Sequence, residues 1–300
     1  MSVELKSVEL PSGERLGYRE REGGDEVVLL IHGNMNSSAH WDIVLEQMDA
    51  KYKIYAVDLR GFGMSTYHTP AARLEIYADD VNAFMGLLGL SSCIVWGWST
   101  GGGIAMDLAA RYPERVSKLV LLASMSTRGY PFYEDDLDGM PDVTKRITTA
   151  EGIRKVVRNH WVQKANEERD KKFMRTLFNS VIYDRNQPDE ARYEAYLEDI
   201  LTQRNLMDIY EALNTFNNSH MDHEASSGSG LVDSIQVPTL VLRGDRDMVI
   251  TAQMNQELLD DFGGRAHAVT LTGCGHSPLV DDPAQLMAAV EQFLQGGTVE

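Results

Sequence analysis

Short runs rich in Val, Ile and Leu recur along this chain with room for a helix between each, and no other property of the sequence restricts its fold as much. VVLLI (27–31), YKIYAVD (52–58), SCIVWG (92–97) and KLVLLAS (118–124) are continuously apolar rather than alternating, as expected of parallel strands covered on both faces. Helical patterns near 38–49, 72–88 and 100–112 separate them, the last ending at Arg111 to Pro113, where proline blocks continuation. Two alternating segments near 3–10 and 14–20 read as an opening hairpin. After a long interruption the pattern resumes with VPTLVLRG (237–244), a helix near 251–262, a strand near 266–272 and a helix near 283–295. The expected fold class is α/β, a mostly parallel eight-stranded sheet flanked by helices.

The interruption runs through residues 125–236, where nothing has the pattern of a buried parallel strand. Helix signals take over: Thr148 with Glu151 as a capping box, a segment at 166–180, Pro188 in a first turn with Asp189 and Glu190, and a segment at 204–217. EASSGSG (224–230) then reads as a polar linker. The chain therefore divides into a core of residues 1–124 and 231–300 and a helical insertion of residues 125–230.

Composition narrows the function. Of 300 residues, 43% are hydrophobic and 24% charged, which suits a folded chain. Acidic residues outnumber basic ones by 45 to 28, a formal charge of −17, so a polyanion would be repelled and no nucleic-acid partner is expected. The amino-terminal stretch lacks the apolar core of a signal peptide, and no run approaches a membrane span. Cys93 and Cys274 lie far apart, without metal or CxxC spacing. A cytoplasmic protein that does not engage membranes is expected; oligomeric state is not legible.

VWGWSTGGGIA (95–105) places four glycines around one serine where a strand gives way to a helix. A P-loop would need a lysine after its second glycine, and here Gly102 is followed by Gly103. A dinucleotide fingerprint read from Gly101 would need glycine at 106, which is Met106. The match is GxSxG: Gly97, Trp98, Ser99, Thr100, Gly101. Small residues flanking a serine permit a sharp strand-to-helix turn that lifts the hydroxyl above the sheet.

On these residues the chain resembles the α/β-hydrolase superfamily, over nearly its whole length. A serine hydroxyl needs a base, and the base needs a carboxylate to orient it; in this superfamily the chain order is serine, acid, histidine. LTGCGHSP puts His276 in a glycine-rich loop after the final strand, a better position for the base than His32, His40, His68, His160, His220, His223 or His267. LVLRGDRDMVI offers Asp245 and Asp247 as the acid. The family pattern Gly-x-x-Asp followed by an apolar residue favours Asp247, with Asp245 as a turn residue and the alternative acid. The resemblance further implies an oxyanion hole from the backbone amides of Asn34, in LLIHGNMNSS, and of Thr100, with His32 bracing that loop and Gly33 allowing close approach.

HGNMNSSAHW is also similar to haloalkane dehalogenases and epoxide hydrolases of the same superfamily, which use an aspartate nucleophile where this chain has Ser99. A serine favours attack on a carbonyl. The closest likeness is to serine-dependent esterases and lactonases; C–C bond hydrolysis or perhydrolysis on the same residues is the alternative, and a ligand-sensing protein of low turnover the rival outside enzymes. The insertion resembles a cap, or lid, over the carboxyl ends of the strands, and Trp98, Met125 and Met35 are expected to contact a small-molecule acyl substrate. Cap methionines and aromatics (Met140, Met174, Met207, Met221, Trp161, Phe178 and Tyr210 among them) are further candidates for an apolar pocket or for packing between helices. No cofactor and no metal are expected, since HMDHE (220–224) has poor ligand spacing for one helix face and reads as a solvated linker. The acidic run YEDDLDG (133–139) reads as an exposed loop.

Overall fold

A computed structural model describes residues 2–296. Eight strands form one sheet: β1 (Val3–Glu9), β2 (Arg15–Arg21), β3 (Glu26–Ile31), β4 (Tyr52–Val57), β5 (Cys93–Trp98), β6 (Val116–Leu122) and, after an exposed hairpin of β7 (Tyr133–Asp135) and β8 (Pro141–Arg146), β9 (Thr239–Gly244) and β10 (Ala266–Leu271). Their spatial order is β1-β2-β4-β3-β5-β6-β9-β10. Pairing is antiparallel between β1 and β2 and between β2 and β4, and parallel across the rest. This is the mostly parallel sheet the apolar runs imply.

Eleven α-helices, besides three short 3-10 turns, are found among the described residues: α1 (Asp42–Gln47), α2 (Leu74–Leu87), α3 (Thr100–Arg111), α4 (Ala150–Lys155), α5 (Val157–Glu167), α6 (Lys171–Val181), α7 (Glu190–Ile200), α8 (Leu206–Thr215), α9 (Ala252–Phe262), α10 (Pro278–Asp281) and α11 (Pro283–Leu294). The period of two in each central strand sends side chains to two cores. Leu29, Ile31, Val95, Leu119 and Leu121 pack with α2, α3 and α9. Val28, Leu30, Ile94, Trp96, Val120 and Leu122 pack with α1 and α11. Helix α2 turns Leu74, Tyr77, Ala78, Val81, Phe84 and Met85 inward, the 3.6-residue stripe of a helix lying on a sheet.

Between β6 and β9 come the β7–β8 hairpin and helices α4 to α8. Their caps differ from the sequence expectation in instructive ways. Thr149, not Thr148, begins α4, because its hydroxyl accepts from the Gly152 amide at 3.0 Å while Glu151 pairs with Lys155. Asp189 takes the same role for α7 through the Arg192 amide, which leaves Pro188 outside the first turn. Helix α5 was not anticipated; its mixed composition carries no clear apolar stripe. YEDDLDG begins in β7 rather than in a loop, since Asp135 receives the Arg158 guanidinium. EASSGSG is tied back onto the chain by Ser229 N–H to Asn217 O and Gly230 N–H to Ser219 O. Among the described residues, no helix is long and apolar enough to cross a membrane.

Candidate active site

Ser99 occupies the turn between β5 and α3 with φ 56° and ψ −119°, a backbone region that L-residues enter only under constraint. The glycines around it explain how the chain gets there. A Cβ on Gly97 would meet the Gly101 carbonyl oxygen at 2.3 Å, and one on Gly101 would meet that of Ile31 at 2.2 Å. Strand β5, helix α3 and the end of β3 therefore pack backbone to backbone, and the serine is forced to the apex. Its N–H donates to Leu122 O at 2.9 Å, fixing the turn to β6.

Two loops converge on this apex. In the first, which follows β10, His276 Nδ1 lies 3.0 Å from Asp247 Oδ2 and 3.2 Å from Oδ1. Both side chains are almost wholly buried. Asp247 Oδ1 also accepts the amides of Val249 and Ile250 at 2.8 Å each, so the carboxylate is held as an acceptor. An acceptor facing Nδ1 assigns the ring proton to Nδ1 and leaves Nε2 as the basic nitrogen. Trp98 Nε1 donates to the His276 carbonyl at 3.0 Å and pins this loop. Asp245, exposed, instead accepts the Gly273 amide at 2.8 Å. Of the two aspartates, then, it is Asp247 that meets the imidazole.

The second loop carries Gly33, Asn34 and Met35 after β3. A Cβ on Gly33 would come within 3.0 Å of Ser99 Cβ. His32 is buried beneath it, with Nδ1 2.7 Å from Gly33 O and Nε2 accepting from the Leu59 amide at 3.0 Å. Burial lowers its pKa, consistent with a neutral brace. Thr100 opens α3, and its N–H, like any in a helix's first turn, has no acceptor within the helix. The loop is also gripped from the helical segment: Gln203 Nε2 donates to Asn34 Oδ1 at 2.8 Å, Ser37 Oγ to Asp199 Oδ1 at 2.6 Å and Tyr196 Oη to Asp42 Oδ1 at 2.5 Å.

Ser99, His276, Asn34, Thr100, Trp98, Met125 and Met35 line one cavity of about 420 Å³. Asp247 stands behind His276. The Ser99 hydroxyl closes no hydrogen bond to the imidazole among the described residues; such contacts are commonly long before substrate binds. Sequence reasoning missed most of the roof: Tyr130, Phe132, Leu177, Ile182 and Leu213 line the cavity with the anticipated Phe178 and Tyr210. Met140 and Trp161 are exposed instead. Met248 to Ile250 also line it, and the apolar MVI after Asp247 was the available signal. His220 pairs with Asp233, and His223 Nδ1 receives the amides of Ala225 and Ser226, so the HMDHE side chains are engaged separately.

Residues 26–283 match a family described as alpha/beta hydrolase fold. A pimeloyl-[acyl-carrier protein] methyl ester esterase of Nitrosospira multiformis is 24% identical over 92% of this chain and 97% of its own length. A 2-hydroxymuconate semialdehyde hydrolase of a Pseudomonas species is 25% identical over 89% of this chain and 86% of its own. Among solved structures, a thermophilic esterase from Thermogutta terrifontis superposes with a TM-score of 0.71 at 20% identity, covering 98% of each chain. These similarities support a hydrolase.

Proposed function

The chain belongs to the alpha/beta hydrolase fold family, and from that premise we propose that it is a serine hydrolase cleaving carboxylic esters or lactones of small to medium apolar acyl compounds. Ser99 Oγ attacks the carbonyl carbon while His276 Nε2 takes its proton, and Asp247 stabilises the imidazolium through Nδ1–H. The amides of Asn34 and Thr100 receive the developing oxyanion. His276 then protonates the leaving alcohol, and water, deprotonated by the same nitrogen, resolves the acyl-enzyme. The segment of residues 125–230 acts as the cap whose aromatic residues exclude water from the acyl group.

The observation that carries this reading is the buried 3.0 Å contact of His276 with Asp247 beside the strained turn at Ser99. A second reading, hydrolysis of a C–C bond beside a ketone, draws support from the similarity to the semialdehyde hydrolase, and it uses the same three residues. The test is steady-state turnover of an ester, lactone and thioester panel by the wild type and Ser99→Ala. The expected result is multiple turnover lost by roughly 10³-fold or more in the variant. Retained activity would overturn the assignment. Cleavage of a C–C bond beside a ketone, assayed separately, without turnover of this panel would favour the second reading, and stoichiometric binding without turnover would favour a sensor.

A further inference from the structure

A second cavity of about 770 Å³ lies against the catalytic one and shares Tyr130, Phe132, Arg158, Met248 and Val249 with it as a common wall. Three arginines face this compartment, and their partners differ. Arg128 is bidentate to Asp261, at 2.8 and 3.0 Å, and Arg158 meets Asp135 at 2.5 Å. Arg146, the last residue of β8, has no carboxylate within 4.0 Å among the described residues. Its Nε and one Nη reach only neutral acceptors, Asn214 Oδ1 at 3.2 Å and Asn214 O at 2.5 Å, and its Nη1 carries no hydrogen bond among the described residues.

Asn214 is in turn fixed by donating to Ile147 O at 2.7 Å and accepting the Phe132 amide at 3.0 Å. The guanidinium is thus anchored in place rather than swinging in solvent. Burial pulls its pKa down, and Tyr133, Glu224 and Glu257 oppose that only at a distance. Two carboxylates also line this compartment, neither within ion-pair distance of Arg146: Glu257 is bonded to Ser126 Oγ at 2.9 Å and Asp222 to the Gly228 amide at 2.9 Å. A half-buried guanidinium with one edge anchored and the other open suits a carboxylate, which it can meet with charge-assisted hydrogen bonds. Of the three arginines facing this compartment, Arg146 alone has no ion pair among the described residues and keeps an open edge toward it.

We propose that Arg146 binds a carboxylate at the far end of the substrate, so that the preferred substrates are esters whose acyl chain ends in a free carboxylate, the monoesters of medium-chain dicarboxylic acids. The ester sits at Ser99, the methylene chain passes Tyr130, Phe132 and Met248, and the carboxylate occupies the second compartment against Nη1. The inference rests on the hydrolase reading and adds the substrate class to it.

The experiment compares mono-p-nitrophenyl suberate with p-nitrophenyl octanoate, equal in carbon number and differing in the terminal charge. A guanidinium–carboxylate contact predicts a kcat/KM roughly 10- to 100-fold in favour of the anionic ester. In Arg146→Met that preference disappears through a raised KM for the suberate ester, while the octanoate ester is turned over as before; Arg146→Lys recovers part of it. No preference in the wild type, or equal loss on both esters in Arg146→Met, overturns the proposal. Calorimetric binding of suberate to Ser99→Ala, with and without Arg146→Met, separates the two readings. Arg146-dependent binding without wild-type turnover refutes the hydrolase and keeps the anion site, and binding of octyl phosphate but not suberate refutes the carboxylate.

Discussion

Asp245 and Asp247 stand two positions apart, yet one stitches a turn through the Gly273 amide and the other is sealed under His276. The difference follows from exposure: a carboxylate in solvent is screened, whereas a buried one acts at full strength on its single imidazole neighbour. Replacing Asp247 by Asn keeps the volume but places an amide opposite Nδ1, which favours the wrong tautomer. Under the proposed mechanism Asp247→Asn lowers kcat by on the order of 10³-fold or more, whereas Asp245→Asn stays within about threefold of wild type, measured on one ester at saturating concentration. Equal losses in the two variants would return Asp245 to contention. Arg146 belongs to the same scale: that it has no ion pair among the described residues is a property no single residue announces in a sequence.

Among elements, the β5–α3 turn concentrates the strain. Ser99 holds its left-handed conformation because Gly97 and Gly101 let three backbones close around it, and strain of this kind is worth about 1–3 kcal/mol. Ser99→Gly relieves it and Ser99→Ala does not. The glycine variant is therefore expected to resist urea by about 1 kcal/mol more than the alanine variant after the entropic cost of glycine is included; equal midpoints would show that the turn is unstrained. This element was plain in the sequence because its signal is local: an apolar run, GWSTG and a helix, all within contiguous residues. The strands were legible for the same reason. Helix α5 and the start of β7 were not, since Asp135 and Arg158 meet across 23 positions and neither segment has a strong period of its own. The one-residue misplacement of the α4 start arose because Thr148 and Thr149 are both competent caps, and only geometry chooses between them. The cavity's roof was legible only in kind, as aromatics and methionines. Which of them reach Ser99 is decided by how α5, α6 and α8 cross, which depends on contacts far apart in the chain.

For the molecule as a whole, an excess of acidic groups makes stability depend on where carboxylates are buried. Asp107 on α3 is nearly inaccessible, and burial pushes its pKa up to about 6, against the weaker pull of Arg111 and Asn218. A folded-state value above the unfolded 3.8 means that the fold prefers the proton. Stability from this group is full below about pH 4, declines as pH rises through the window from 3.8 to about 6, and is absent above it. The difference amounts to about 3 kcal/mol at most. Asp107→Asn should thus be more stable than wild type at pH 8 and nearly equal at pH 4 in chemical denaturation, while Arg111 keeps its 2.8 Å contact with Asp79. An unchanged difference between the two pH values would contradict it.

Helix α7 and the residues just beyond it clasp the stretch from Asn34 to Asp42 at three points, through Gln203, Asp199 and Tyr196. If the amide of Asn34 steadies an oxyanion, this side of the roof cannot swing without dismantling the very pocket it shelters. On the opposite side the β7–β8 ribbon and α5 leave Leu137, Val143 and Trp161 exposed to solvent. Under the proposed mechanism, then, the rim that shelters the acyl group and the loop that answers the oxyanion stand or fall as one piece.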